Sequence, residues 1–209
     1  IHERLVGSEM CIRDSGHEKA LDFTCRPWNQ IDEMNEGIIA NINEKVKEND
    51  ELYILGDYSF KITALEAAAL RKKIYCKKVH LVPGNHDKDW NNKLVQGTFI
   101  VEQPITVLKI DGRKYVLSHF PMADWQSMSH ESIHLHGHIH SEGSLYNEMN
   151  RIQGLYRYDV GVDANGYSPV SMEEILAWFD GVECRGRVKW KDWVDETGDK
   201  RVRRKLAGL

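Results

Sequence analysis

Several things are missing from this sequence, and each absence removes a class of protein. No apolar run approaches the roughly 20 residues of a membrane-spanning helix, so no spanning segment and no membrane partner is expected. There is no C-x-x-C pair and no dense cysteine framework. Cys11, Cys25, Cys76 and Cys184 lie far apart, which reads as reduced thiols in a cytoplasmic chain rather than a disulfide scaffold. Positive charge is not in excess either. The formal net charge is -4, so the whole chain lacks a basic footprint for nucleic acid. Internal repeats, low-complexity blocks and a long insertion that would cap a pocket are also absent.

What is present is an ordinary globular composition: 209 residues, 41% hydrophobic and 29% charged. That length suits one domain with a sizeable core and a tail. Residues 1–15 match neither a strand nor a helix template and begin without Met, and they read as a translated adapter or frame artefact or a cloning scar, outside the fold. The domain is expected over 16–182. From 183 to 209 a charged tail follows, with a basic end at Arg201, Arg203, Arg204 and Lys205 that reads as solvated.

Within the domain, Ile31, Met34, Ile38, Ile42 and Val46 recur at helical spacing, predicting an amphipathic helix from Gln30 to about Asn49. Thr63-Ala-Leu-Glu66 and Ser171-Met-Glu-Glu174 are capping boxes, opening helices to about Ile74 and through Phe179. Strands are predicted at Glu51–Leu55, Lys77–Val82, near His134–His136 and at Tyr156–Val160, with an Asp111-Gly112 hairpin joining Ile105–Ile110 to Lys114–Ser118.

Three of these strands run into a polar turn. Leu52–Leu55 meets Gly56-Asp57, Val79–Val82 meets Pro83-Gly84-Asn85-His86-Asp87, and Tyr115–Leu117 meets Ser118-His119. A fourth segment alternates histidines: His134, His136, His138, His140. Ligand crevices of layered sheets lie outside the carboxyl ends of strands. A carboxylate suits the bridge between two cations, and Asp57 takes that role. Asn85 offers an amide oxygen, while His119, His138 and His140 offer imidazoles; this mixed set suits Mn²⁺, Fe²⁺, Ni²⁺, Co²⁺ or Zn²⁺ rather than Ca²⁺. Two such ions roughly 3.5–4 Å apart clamp a phosphoryl group and activate water at neutral pH. On a strand, residues two apart face one way, so His138 and His140 are expected to address neighbouring ions. His86 is placed to protonate a leaving alkoxide, with Asp87 expected to orient its ring. His134 and His136 read as packing or supporting groups, Asp163 and Asn165 as turn formers.

Gly56-Asp57, Gly84-Asn-His-Asp87, Ser118-His119 and Gly137-His-Ile-His140 resemble, in order and spacing, the motifs of the calcineurin-like metallophosphoesterase superfamily, from Gly16 to about Phe179. Leu117–Pro121 and the run Asp159 to Ser171 are similar to its small bacterial and phage members. The resemblance implies a four-layer α/β/β/α sandwich with mixed sheets and a phosphoric ester hydrolase, monoesterase or diesterase, with a phosphate-ester substrate. It also implies two divalent ions, Mn²⁺ foremost. Asp57 bridges them, Asn85, His119 and His138 complete one site, and His140 belongs to the other; Asn85 and His17 face the substrate. One motif departs from the pattern. The superfamily opens with a strand ending Asp-x-His, and aligning its following Gly-His on Gly16-His17 puts Ile12 and Asp14 in those places. One ion is therefore expected to be held, the other weakly or not at all. The rival expectations are an inactive metal-binding domain and a nucleic-acid phosphodiesterase using the basic tail.

Overall fold

The structure is a computed structural model that describes residues 4–7 and 26–185. Two mixed sheets stack between helices. The first has five strands in the order β4-β3-β2-β1-β9 and the second four in the order β5-β6-β7-β8. The first contains β1 (Arg4–Gly7), β2 (Glu51–Leu55), β3 (Lys78–Val82), β4 (Ile100–Val101) and β9 (Val170–Ser171). The second contains β5 (Ile105–Ile110), β6 (Arg113–Ser118), β7 (Ile133–His136) and β8 (Arg157–Asp159). The helices are α1 (Ile31–Lys45), α2 (Ala64–Arg71), α3 (Leu145–Ile152) and α4 (Met172–Trp178). This is the expected α/β sandwich.

Strand alternation builds the layers. On β2, Leu52 and Ile54 join a core with Met34, Ile38 and Ile42 of α1 and with Ala67 and Ala68 of α2. Tyr53 and Leu55 point the other way, into a core with Leu117, Ile133 and Leu135 of the second sheet. A sheet buried on both faces reads as a near-continuous apolar run, as Leu52–Leu55 of β2 shows; in β3 the half-buried His80 interrupts it. On β7, Ile133 and Leu135 take the inner side. His134 and His136 then fall on the opposite face, where their rings meet Trp125 and Tyr146.

Local chemistry sets the ends. Both capping boxes are formed: Thr63 Oγ1 accepts from the Glu66 amide and Ser171 Oγ from the Glu174 amide, with the glutamates returning to the cap amides. The hairpin turn has positive φ at both centres, 49° at Asp111 and 83° at Gly112, as a tight two-residue loop requires.

Residues 1–15 were not expected to supply an element, yet Arg4–Gly7 is a strand. It pairs in parallel with β2 and antiparallel with β9. Four residues show no alternation to read; pairing on both sides supplies what the pattern lacks. At the other end, Arg185 N donates to Gly154 O at 2.9 Å and Cys184 is buried, so 183–185 are fixed to the domain. Asp14, His17 and the basic tail lie outside the described residues. Cys76 and Cys184 are buried. Among the described residues, no helix is long and apolar enough to cross a membrane.

Candidate metal centre

Parallel pairing of β2 with β3 and of β6 with β7 brings four strand ends to one edge. The first two turns touch backbone to backbone. A Cβ on Gly56, whose φ is 83°, would sit 2.7 Å from Gly84 Cα, and one on Gly84 would sit 2.5 Å from the Asp57 amide. Only glycine fits at either place.

Asp57 follows at a φ of 49°, a left-handed conformation that Asp tolerates better than most residues. Its Oδ1 accepts the His86 amide at 2.8 Å, and its Oδ2 lies 3.2 Å from His119 Nε2. Burial works to raise the Asp57 carboxyl pKa. The contacts with His119 and the His86 amide outweigh it and hold the group below the usual carboxylate range. Asp57 is an anion in a largely closed site.

His119 is buried, with Nδ1 2.9 Å from Leu55 O. A carbonyl only accepts, so Nδ1 carries a proton, and Nε2 is the nitrogen turned toward the other strand ends. Around Nε2 stand Asn85 Oδ1 at 2.9 Å, His138 Nδ1 at 3.0 Å and Asp57 Oδ2 at 3.2 Å. Burial, then the neighbouring His119, lower the His138 pKa, which keeps that ring neutral. Four atoms able to ligate a cation thus converge on one point. Atoms of Asp57, His119 and His138 lie within 4.8 Å of one another, a grouping fit for a metal ion. One carboxylate, one amide oxygen and two imidazoles form a borderline donor set suited to first-row divalent ions.

Two expectations change here. His138 and His140 are not on a strand: β7 ends at His136, and the two histidines sit in the turn beyond, at φ values of 71° and 46°. Their separation comes from left-handed backbone, not from strand alternation. His138 faces His119, whereas His140 Nδ1 meets Asp163 Oδ2 at 3.1 Å. Asp87, expected against the His86 ring, is placed elsewhere. Its Oδ2 accepts the Asp57 and Gly84 amides and its Oδ1 the Tyr58 amide, at 2.8–2.9 Å. The carboxylate ties the two turns together. Burial raises its pKa, the amide hydrogen bonds lower it, and the nearby Asp57 charge adds to the rise; the net direction is upward.

Asn85 and His86 are exposed at the rim. The His86 ring stands edge-on to Phe60, centroids 4.5 Å apart, and Phe120 makes a similar contact with His138 at 4.4 Å. His134 and His136 are interior. Their Nδ1 atoms face Val116 O and Gly137 O, while His134 Nε2 accepts from the Met122 amide and His136 Nε2 from the Tyr146 hydroxyl. Residue patterns gave no sign of Arg26, whose guanidinium grips Asp163 from 137 residues away. Asp163 stood in a quoted run, but as a turn former.

No family model matches the chain. An uncharacterized protein of Methanocaldococcus jannaschii is 24% identical over 164 residues, covering 77% of this chain and 83% of that protein. Among solved structures, a protein of unknown function from Aquifex aeolicus aligns with a TM-score of 0.64 at 22% identity, covering 85% of this chain and 99% of that one. It shares the fold. Nuclease MPE of Pseudomonas putida aligns at a TM-score of 0.44 and 21% identity, over 68% of this chain and 64% of its own.

Proposed function

We propose that this chain is a metal-dependent phosphoric ester hydrolase of the calcineurin-like metallophosphoesterase type. The observation that carries the reading is the convergence of Asp57 Oδ2, Asn85 Oδ1, His119 Nε2 and His138 Nδ1 at the edge of the two sheets. Held there, a divalent cation supplies charge neutralisation for a phosphoryl group and activation of water. Mn²⁺ is the proposed ion. Asp57, Asn85, His119 and His138 hold the first equivalent; Asp57 and His140 contribute to a second.

The chain's own residues do the remaining work. His86 sits beside this centre with its amide fixed on Asp57 Oδ1 and its ring exposed against Phe60. Among the described residues no hydrogen bond engages its ring nitrogens, so the imidazole is placed to give a proton to the leaving alkoxide. Asp87 keeps the two turns at the spacing that lets Asp57 and Asn85 face one point. The exposed Asn85 amide is placed to contact the phosphoryl oxygens.

The missing Asp-x-His favours a second reading, in which this chain holds one ion and does not turn over. Metal analysis after reconstitution with Mn²⁺ separates the two, using this chain and a version with strand-Asp-x-His restored before Gly16. One ion here and two in the restored chain, with hydrolysis of bis(p-nitrophenyl) phosphate only in the latter, supports the inactive form. Hydrolysis by both supports the enzyme. If neither holds a metal, the hydrolase reading fails.

A further inference from the structure

Outside the four converging donors lies a second polar cluster, built from three distant parts of the chain. Asp163 opens a short 3-10 turn, Asp163–Asn165, that is itself pinned. Asn165 Nδ2 donates to Gly161 O at 2.7 Å and Asp159 O at 3.0 Å, and Tyr158 Oη donates to Asn165 Oδ1 at 2.9 Å. Arg26 meets the Asp163 carboxylate as a two-pronged fork, Nε to Oδ1 and Nη2 to Oδ2, both at 2.8 Å. Its Nη1 reaches Met34 Sδ on α1 at 3.1 Å. Side-chain exposure is 4% for Arg26 and 3% for Asp163, so this ion pair is closed to water. His140 is different: 39% of its side chain is open and its backbone turns at a φ of 46°.

A ring on such a turn needs an anchor to present one chosen nitrogen. The third contact on the carboxylate is that anchor, His140 Nδ1 to Asp163 Oδ2 at 3.1 Å. A carboxylate already neutralised by a guanidinium remains ionised and can only accept, so the proton of a neutral His140 ring belongs on Nδ1. Nε2 then becomes the electron-pair donor. Ligating histidines are commonly held in this way by a carboxylate, which fixes tautomer and ring direction and raises basicity.

We infer that Asp163, clamped by Arg26, is a positioning residue that fixes the tautomer and direction of His140 for metal binding through Nε2. The inference rests on the reading of His140 as a ligand of the second ion. It assigns the run around Asp163 a part in the site, and it ties the site to the segment that enters α1.

Two measurements test it. In the metal-free wild-type chain, ¹⁵N-edited NMR of the imidazoles should show His140 protonated on Nδ1; protonation on Nε2 overturns the inference, and this readout needs no variant to fold. In Mn²⁺ titrations of the chain with strand-Asp-x-His restored before Gly16, His140→Ala should remove one binding event, and Asp163→Asn should weaken that same event by about 10–100-fold while leaving the other within twofold. Unchanged affinity in Asp163→Asn, or an isotherm insensitive to His140→Ala, overturns the inference and leaves the hydrolase reading standing. No Mn²⁺ binding by either the wild-type or the restored chain overturns both.

Discussion

Asp57 and Asp87 are joined by an exchange through backbone amides. Asp87 Oδ2 accepts the Asp57 amide at 2.8 Å, and Asp57 Oδ1 accepts the amide of His86, beside Asp87, at the same distance. Each turn thereby fixes the other. One carboxylate is consumed by this structural task, which leaves Oδ2 of Asp57 turned toward His119. The pair explains why two acidic residues at strand ends have different fates: one is surrounded by amides, the other faces imidazoles.

Asp87→Ala should therefore cost stability and metal together. Three amides lose their acceptor, at about 1–3 kcal/mol for each one left buried without a partner. Urea unfolding of the metal-free chain should show a clear loss, and Mn²⁺ affinity should fall because Asp57 and Asn85 no longer share one frame. Wild-type stability with wild-type metal affinity would remove Asp87 from this role.

His86→Ala should do the opposite. The exposed ring stands against Phe60 at the rim, and the amide bonded to Asp57 is retained. Mn²⁺ content and melting temperature should stay close to wild type. In the chain with Asp-x-His restored, turnover of an ester with an alkoxide leaving group should drop about 10²–10⁴-fold, the usual range for a lost general acid. An ester with a p-nitrophenolate leaving group needs less protonation and should be less affected. Loss of metal content would make His86 a ligand instead.

The interior histidines predict a pH dependence. Burial pushes His134 down to about 3 and His136 down to about 4. Folded, both rings stay neutral in mildly acidic solution; unfolded, they charge near the ordinary value of about 6.5. The unfolded state then binds more protons below that pH, so their stabilising effect is complete above it and is lost as pH falls toward 4. Each ring should contribute a slope of up to roughly 1.4 kcal/mol per pH unit. Urea unfolding at pH 7, 6 and 5 should show the fall, and His134→Leu should flatten it. Stability that is level from pH 7 to 5 contradicts the assignment.

Where the pattern and the burial agree, the sequence was readable. Ile31, Met34, Ile38 and Ile42 mark α1, and the helix ends at Lys45 because Val46 is extended. Both capping boxes announce α2 and α4. The unread elements have physical reasons. β4 and β9 are two residues each, too short to alternate. α3 is inverted: Leu145, Met149 and Ile152 face solvent at 68%, 46% and 77% exposure, while Asn147 and Asn150 are buried. It docks by hydrogen bonds, Asn147 exchanging two with the Asp159 backbone and Asn150 accepting one from Arg157. The apolar residues stand at helical spacing, but they mark the solvent face, so periodicity assigns the wrong side of this helix to the core. The convergence of Asp57, Asn85, His119 and His138 was legible because glycine turns and these residues stood together in sequence. The Arg26–Asp163–His140 link was not, since its parts meet only in the folded chain.

A last prediction isolates the close approach of the two turns. Gly84 has no need of left-handed backbone, so alanine there is not excluded by conformation. It is excluded by space: its Cβ would press on the Asp57 amide at 2.5 Å and on the carboxylate beside it. These atoms belong to the exchange with Asp87 and cannot move as a flexible side-chain end could. Gly84→Ala should therefore displace Asp57 and cut Mn²⁺ affinity. Gly97→Ala supplies the contrast, since a Cβ there meets nothing within 4 Å but φ is 84°. It should lower the melting temperature through left-handed strain, about 1–2 kcal/mol, and leave metal binding unchanged. Paired titration and thermal unfolding of the two variants should separate the effects. Equal metal affinity in both would mean that the approach of Gly84 to Asp57 does not set the geometry of the centre.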